Sequence, residues 1–141
     1  MHKDIKYLLM QKFYLIEKVS LNEAELSGIK YRNMVFGSRI FTLLQDNRLS
    51  ISELSRVIGI SRQAVHNSIK ILSEDGLVES VDSPSNRKIK VVQLTEHGKE
   101  ILVQRNIIMK RVEDRIIDKI GKEKFELLRE VLSDDWENLE L

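Results

Sequence analysis

The sequence predicts a mainly α-helical protein that carries one small β-hairpin. Three observations lead to this fold class. Apolar residues recur every three or four positions near both ends of the chain, two short helices joined by a tight turn occupy the middle, and two runs rich in β-branched residues follow them. The chain has 141 residues and a single proline, and domains commonly hold roughly 100–200 residues. Residues 1–141 are therefore expected to form one domain.

The N-terminal third is predicted to be helical. A stripe of apolar residues that begins at Ile5 predicts a first helix over residues 3–20. A weaker helical stretch covers residues 23–29, and another runs from about residue 38 to a breaker at Asp46-Asn47.

The middle of the chain carries start and stop signals for two short helices. Residues 50–53 read Ser-Ile-Ser-Glu, which is a capping box. The helix that it opens, residues 51–58, is expected to end at Gly59. Three of its side chains are predicted to face inward: Leu54, Val57 and Ile58.

Ser61 is predicted to cap a second short helix, residues 62–75, which Gly76 ends. The linker of three residues between the two helices is typical of a helix-turn-helix. The second helix has two different faces. The inward positions are Ala64, Val65, Ile69 and Leu72, and the outward positions are Arg62, Gln63, His66, Asn67 and Lys70.

A β-hairpin is predicted after the helix-turn-helix, with strands at residues 77–81 and 89–95 and a turn at residues 82–86. Thr95 can cap the next helix. Helical spacing then continues to a break at Gly121, and a final helix is expected to include Phe125, Leu128, Leu132, Trp136 and Leu139.

The outward side chains of the second helix can all donate a hydrogen bond, and none is acidic. A helix of this kind fits the major groove of DNA with its N-terminal residues at the base edges. Arg62 can pair with guanine, and Gln63 or Asn67 with adenine. His66 is a further base or phosphate contact. Phosphate contacts that set the register are expected from Ser50, Ser52, Ser61 and Lys70.

Three basic residues lie at the hairpin tip: Arg87, Lys88 and Lys90. Such a tip suits the adjacent minor groove or the DNA backbone. Basic residues also keep an exposed strand edge from aggregating. The alternative is therefore that these residues protect the strand edge and do not contact DNA. The position just after a helix-turn-helix favours DNA contact.

Residues 49–98 resemble the winged helix-turn-helix of the MarR (multiple antibiotic resistance regulator) family of transcription factors. The matching motifs are SELSRVIGIS in the first helix and turn, LSEDGLVES at the entry to the hairpin, and LTEHGKEIL after it. The resemblance implies a DNA-binding lobe over about residues 38–98 and dimerisation helices over about residues 3–30 and 96–139. It also implies a regulator, more often a repressor, that binds double-stranded DNA.

The chain departs from the family pattern in the wing. The family usually places Asp, any residue and Arg where this chain has Asn86, Arg87 and Lys88. The Asp that braces the wing arginine is therefore replaced by an amide, and the arginine by a lysine. Either Arg87 or Lys88 can then be the wing contact.

The apolar stripes at both ends are more than a helix-turn-helix of about 60 residues can cover, so we expect them to pair with a second copy of the chain. A twofold dimer would set two recognition helices about 34 Å apart, as a palindromic operator requires. The alternative is that the stripes fold back on their own chain. The candidate dimerisation residues are Ile5, Leu8, Leu9, Ile108, Val112, Ile116, Phe125, Leu128, Leu132 and Trp136.

Other functional classes find no support in the sequence. The chain has no Cys, and His2, His66 and His97 lack metal-ligand spacing, so we predict no metal or cofactor. There is no nucleophile motif or glycine-rich phosphate loop, so no enzyme is predicted. No signal segment or membrane span is recognised, and a cytoplasmic location is expected.

The family resemblance further implies a small-molecule effector, held where the dimerisation helices meet the DNA-binding lobe. Side chains available to line such a cleft are Tyr7, Phe13, Tyr14, Tyr31, Met34, Phe36 and Phe41. An aromatic cluster is more often plain core. The alternative to a DNA-binding regulator is a winged helix used for dimerisation or protein interaction without DNA. A recognition face of that kind should offer apolar or aromatic anchors, and this one has none.

Overall fold

A computed structural model of the chain describes residues 2–28 and 39–139. Several predictions concern residues outside these ranges: the ends of the predicted segments at Ile29, Lys30 and Ser38, and the aromatic-cleft candidates Tyr31, Met34 and Phe36. Among the described residues, no helix is both long and apolar enough to cross a bilayer.

Helix α1 (Ile5–Leu26) joins two segments that the sequence predicts separately. It begins after Asp4, whose Oδ1 atom accepts a hydrogen bond of 2.8 Å from the Tyr7 N–H. The predicted gap after Ser20 does not exist because the Ser20 hydroxyl donates to the carbonyl of Ile16 at 2.7 Å. That bond satisfies the hydroxyl inside the helix, so the serine does not end it.

Helix α2 (Arg39–Leu43) leads to α3 (Ile51–Ile58), and α3 starts at the predicted capping box. The Ser50 N–H donates to Oε1 of Glu53 at 3.1 Å, and the Glu53 N–H donates to the Ser50 hydroxyl at 3.1 Å. Hydrogen bonding of the Glu53 carboxyl to the backbone and the side chain of Ser50 lowers the pKa of that carboxyl. Gly59 ends the helix with φ at +77°, a conformation that other residues rarely adopt.

The prediction that Val57 of α3 faces inward is wrong. Val57 is 62% exposed, whereas Leu54 is fully buried. The helix buries a narrow face on which Ile51 and Ile58 flank Leu54, and Val57 lies just beyond that face.

Helix α4 (Arg62–Glu74) begins at Ser61, whose hydroxyl accepts from the Ala64 N–H at 3.1 Å. Strands β1 (Val78–Asp82) and β2 (Lys90–Leu94) then form the predicted antiparallel hairpin. A further strand segment was not predicted. Leu49 pairs with Val92 on the free edge of β2, through N···O distances of 3.2 and 2.8 Å.

The core of this lobe lies between α2, α3, α4 and the hairpin. It is formed by Ile40, Phe41, Leu44, Leu54, Val65, Ile69, Leu72, Leu77, Val78, Val92, Leu94 and Leu102. The inward face of α4 is therefore the side that fixes the helix on the lobe, and its opposite face is left to solvent.

Helix α5 (Glu96–Ile120) starts at Thr95, whose Oγ1 atom accepts from the Gly98 N–H at 2.9 Å and donates to the Gly76 carbonyl at 2.6 Å. Thr95 therefore links Gly76, which follows α4, to the start of α5. A second small core holds α5 against α1 and consists of Ala24, Ile108 and Val112.

Helix α6 (Lys122–Ser133) is shorter than predicted, because residues 134–139 do not continue it. A separate 3-10 turn, Glu137–Leu139, follows. Asp135 starts that turn, since its Oδ1 atom accepts from the Glu137 N–H at 2.8 Å. The indole N–H of Trp136 donates back to the Val131 carbonyl at 3.1 Å. The apolar spacing of Trp136 and Leu139 was thus misleading.

Candidate nucleic-acid interface

The outer face of α4 is open to solvent over its whole polar side. All five predicted outward residues are exposed: Arg62, Gln63, His66, Asn67 and Lys70. The inward residues Val65, Ile69 and Leu72 are buried, and Ala64 is half-buried. We call these five exposed residues the outer face of α4.

An open groove runs along this face. It is lined by Gln63, His66, Asn67, Ile69, Lys70, Ser73 and Glu74. Sequence reasoning did not include Ser73. The acid Glu74 lies in the last turn, so the N-terminal turns of α4 present only cations and neutral donors.

Two side chains of the outer face are bonded to each other. The Nε2 atom of Gln63 donates to Oδ1 of Asn67 at 3.2 Å. The two residues are one helical turn apart, so their side chains project from the same strip of the surface. This contact could not be predicted as a bond from spacing alone, because spacing does not decide the rotamers.

The predicted phosphate contacts are partly engaged in capping. The hydroxyl oxygens of Ser50 and Ser61 accept the cap bonds of α3 and α4. A hydroxyl has two acceptor lone pairs and one donor hydrogen, so both O–H groups are left to donate. Ser52 is half-buried in the first turn of α3.

The wing tip is closed by its own hydrogen bonds. The Ser83 N–H donates to the Ile89 carbonyl at 2.8 Å, and the Ile89 N–H to the Asn86 carbonyl at 3.0 Å. Oδ1 of Asn86 accepts from the Lys88 N–H at 3.0 Å. Asn86 therefore braces the backbone of the tip. Arg87 lies beside it and is exposed.

The basic residues of the wing are not equivalent. Lys90 stands opposite Asp82 in the hairpin and forms an ion pair with it. Over the ranges 2–28 and 39–139, Arg87 and Lys88 have no such acidic partner. Within the same ranges, Arg62 and Lys70 are also without an ion pair. Two exposed cations were overlooked in the sequence: Arg48 just before α3, and Arg56 in the last turn of α3.

The candidate dimerisation residues separate into two groups. Ile108 and Val112 are fully buried against α1, Ile116 is half-buried there, and Phe125 is buried at the start of α6. These four side chains pack within the chain itself. The others remain in solvent: Ile5, Leu8, Leu9, Leu128, Leu132 and Trp136.

More apolar side chains are exposed on the same helices than the sequence suggested. They include Met10, Leu15, Val103, Ile107, Ile120, Leu127 and Val131. A stripe pattern can show that a helix has an apolar face, but it cannot show how much of that face the same chain covers.

The aromatic residues proposed for an effector cleft also separate. Phe41 is fully buried in the lobe core, whereas Tyr7, Phe13 and Tyr14 are exposed on α1. The rings of Phe13 and Tyr14 meet edge to face at 5.8 Å. No group of three or more acidic or histidine side chains in the described part of the chain is placed to hold a metal ion.

The chain is similar to known proteins of one family. Residues 38–89 match the model of the MarR family. HTH-type transcriptional regulator TcaR of Staphylococcus aureus (strain Newman) is 32% identical over 98 residues, which are 67% of this chain and 64% of TcaR. The chain thus spans slightly less than two thirds of that relative. TcaR is named as a regulator and not as an enzyme, in agreement with the sequence prediction.

Solved structures show the same fold over almost the whole chain. The transcriptional repressor CouR, bound to a 23-mer DNA duplex, matches with a TM-score of 0.73 and 22% identity, covering 92% of this chain and 90% of CouR. Apo MarR from E. coli matches with a TM-score of 0.69 and 15% identity, covering 94% and 96%. The mainly helical winged helix-turn-helix is confirmed, and the resemblance to the MarR family is supported by the match of residues 38–89 and by TcaR.

Proposed function

We propose that this protein is a sequence-specific regulator of transcription that binds double-stranded DNA as a homodimer, most simply as a repressor. The observation that carries the proposal is the outer face of α4, where five donor side chains lie in solvent and the first acid appears only in the last turn. Support comes from the family match, from TcaR, and from the repressor CouR, whose structure contains DNA.

In this proposal α4 lies in the major groove. Its 13 residues extend about 20 Å at 1.5 Å per residue, and the groove is about 12 Å wide. Arg62, at the N-terminal end, pairs with guanine, and Gln63 or Asn67 reads adenine. His66 adds a base or phosphate contact, while Ser50, Ser52, Ser61 and Lys70 hold phosphates and set the register.

The wing contacts the neighbouring minor groove or backbone through Arg87 or Lys88. Both are exposed beside the turn that Asn86 braces, and neither has an acidic partner among the described side chains. Lys90 is the weaker candidate because it already forms an ion pair with Asp82.

The dimer is proposed to form through the terminal helices. Ile5, Leu8 and Leu9 of α1 and Leu128 and Leu132 of α6 are exposed apolar residues on elements outside the DNA-binding lobe. Burying them against a twofold-related copy removes this apolar area from water. The two copies of α4 then read the two halves of a palindrome.

The proposal includes a small-molecule effector that releases DNA, as expected from the resemblance. Tyr7, Phe13 and Tyr14 are the described aromatic candidates that remain accessible to it, since Phe41 belongs to the lobe core.

The competing function, a protein-interaction module without DNA, is disfavoured by the chemistry of α4. Interaction hot spots are enriched in tryptophan, tyrosine and arginine, packed in desolvated pockets. The outer face of α4 has one arginine and otherwise amides, a histidine and a lysine.

The deciding experiment is selection of bound sites from a pool of random duplexes with the full chain. The expected result is enrichment of a palindrome whose half-sites are about one helical turn apart. Enrichment of no sequence, or of a single asymmetric site, would contradict the proposal.

Substitutions distinguish a residue that reads a base from a residue that contacts the DNA backbone. Arg62→Ala is expected to cost about 1–3 kcal/mol on the selected site and much less on random DNA. Lys88→Ala should weaken all duplexes alike and reduce the salt dependence by about one unit for each protomer. Both are measured as binding curves at several salt concentrations. Equal losses on selected and random DNA for Arg62→Ala would refute its base-reading role.

Arg87→Ala and Lys90→Ala are the matched variants for the wing. The residue whose removal lowers the salt slope is the contact. Lys90→Ala is expected to leave the slope nearly unchanged because its charge is paired with Asp82.

A further inference from the structure

The hydrogen bond between Gln63 and Asn67 fixes which atoms of the outer face of α4 are free to meet a base. The bond consumes one N–H of Gln63 and one lone pair of Asn67 Oδ1. What is left on Gln63 is its Oε1 acceptor and one N–H donor. These two groups belong to a single planar amide, so they present an acceptor and a donor in one plane.

That pair of atoms matches adenine in the major groove. Adenine offers its N6 amino group as a donor and N7 as an acceptor, whereas guanine offers two acceptors, O6 and N7. An amide that is free to turn over can also face guanine, because its nitrogen can then donate a single hydrogen bond to O6 or N7. An amide whose N–H is held by Asn67 is hindered from turning over, so its oxygen stays available as an acceptor for an amino group.

We propose that Gln63 and Asn67 act as one unit in which Gln63 reads a single adenine and Asn67 is a positioning residue that holds the Gln63 amide in its adenine-reading orientation. The inference rests on the proposed function, since it assumes that α4 enters the major groove. It goes beyond that function because it assigns different roles to two residues that spacing treats as equivalent.

Both side chains are placed for this task. They are exposed, they border the same groove, and no acid stands between them. Gln63 is the second residue of α4, near the end that approaches base edges, and Asn67 lies one turn further along.

The test uses the duplex selected by the wild-type chain and the same duplex with each adenine changed in turn to guanine. The position at which Gln63→Ala abolishes the preference for adenine over guanine identifies the base that Gln63 reads. Asn67→Ala is expected to reduce the preference at that same position about three- to tenfold, the range of one net hydrogen bond.

Asn67→Asp is the matched control. A carboxylate oxygen still accepts the Gln63 N–H, so the adenine preference at this position should be retained even though the added negative charge weakens binding to every duplex. The double variant Gln63→Ala/Asn67→Ala should show the same adenine preference at this position as Gln63→Ala alone.

Replacing the identified adenine by 7-deazaadenine gives a second reading. The wild-type chain should bind the modified duplex more weakly, because the N7 acceptor is gone. Gln63→Ala should bind the modified and the unmodified duplex with the same affinity.

Several outcomes would overturn the inference while leaving DNA reading intact. These are an unchanged adenine preference in Asn67→Ala, an effect of Asn67→Ala at a different base pair only, or no adenine position that responds to Gln63→Ala. If the wild-type chain selects no sequence at all, the proposed function fails and this inference fails with it.

Discussion

At the scale of single residues, Glu17 and Arg105 show how burial makes the pKa of one side chain depend on the charge of another. The two side chains interact across the contact between α1 and α5. Burial raises the pKa of Glu17, and the charge of Arg105 opposes that rise. Burial also lowers the pKa of Arg105, and its Nε atom has no hydrogen-bond partner among the described residues. The positive charge of Arg105 therefore partly offsets the effect of burial on the pKa of Glu17.

We predict that Arg105→Met destabilises the fold more at about pH 7 than at about pH 4, near the ordinary pKa of a glutamate. Without the guanidinium the pKa of Glu17 rises further. A raised pKa favours the folded state below the unfolded pKa, and this contribution disappears as the pH rises through the folded pKa. The measurement is urea unfolding of wild type and variant at both pH values.

The double variant Glu17→Gln/Arg105→Met is the control, since it has no carboxyl to titrate. The difference in free energy of unfolding between this double variant and wild type should change less between the two pH values than the difference for Arg105→Met does. If Arg105→Met costs the same at both pH values, the proposed coupling is absent.

At the scale of elements, the start of α5 depends on the absence of one side chain. A Cβ atom on Gly98 would lie 2.0 Å from the backbone oxygen of Leu77. The helix and the entry to the hairpin approach this closely because Thr95 bonds both to Gly98 and to the carbonyl of Gly76. We expect Gly98→Ala to destabilise the protein by about 1–3 kcal/mol, as for other overpacked sites.

Chemical denaturation measures this loss. Lys99→Ala is the control, because Lys99 is the exposed neighbour on the same helical turn and its side chain forms an ion pair with Glu96 on the same helix. If Gly98→Ala is as stable as wild type, the backbone can move apart, and the close approach does not limit stability.

Sequence patterns place elements better than they place their ends. The capping box at Ser50 and Glu53 and the cap at Ser61 were recognised because the partners are three residues apart. The end of α6 at Ser133 was missed because it depends on Asp135, which starts a new turn, while apolar spacing continues past it.

At the scale of the whole molecule, the exposed apolar residues of α6 are predicted to hold the dimer together. Leu128→Glu/Leu132→Glu should convert the protein to a monomer, because two carboxylates in each copy would have to leave water. Sedimentation equilibrium measures the mass. Affinity for the palindrome should fall, whereas affinity for an isolated half-site should change little.

Val57→Glu is the matched control for oligomeric state. Val57 is also an exposed apolar residue, 62% accessible, but it lies on α3 in the DNA-binding lobe. The prediction fails if the α6 variant remains dimeric, or if Val57→Glu dissociates the protein equally.

By itself the sequence determined the fold class, the position of the helix-turn-helix and the identity of the outer face of α4. These depend on local spacing and on hydrogen bonds between residues three or four apart, which a one-dimensional pattern records. Only the tertiary structure decided which apolar residues the chain buries for itself, such as Ile108 and Val112, and which it leaves exposed, such as Leu128. It also revealed the pairing of Leu49 with Val92. Such contacts join residues far apart in the chain, and whether they form depends on how whole elements pack and not on the pattern within either one.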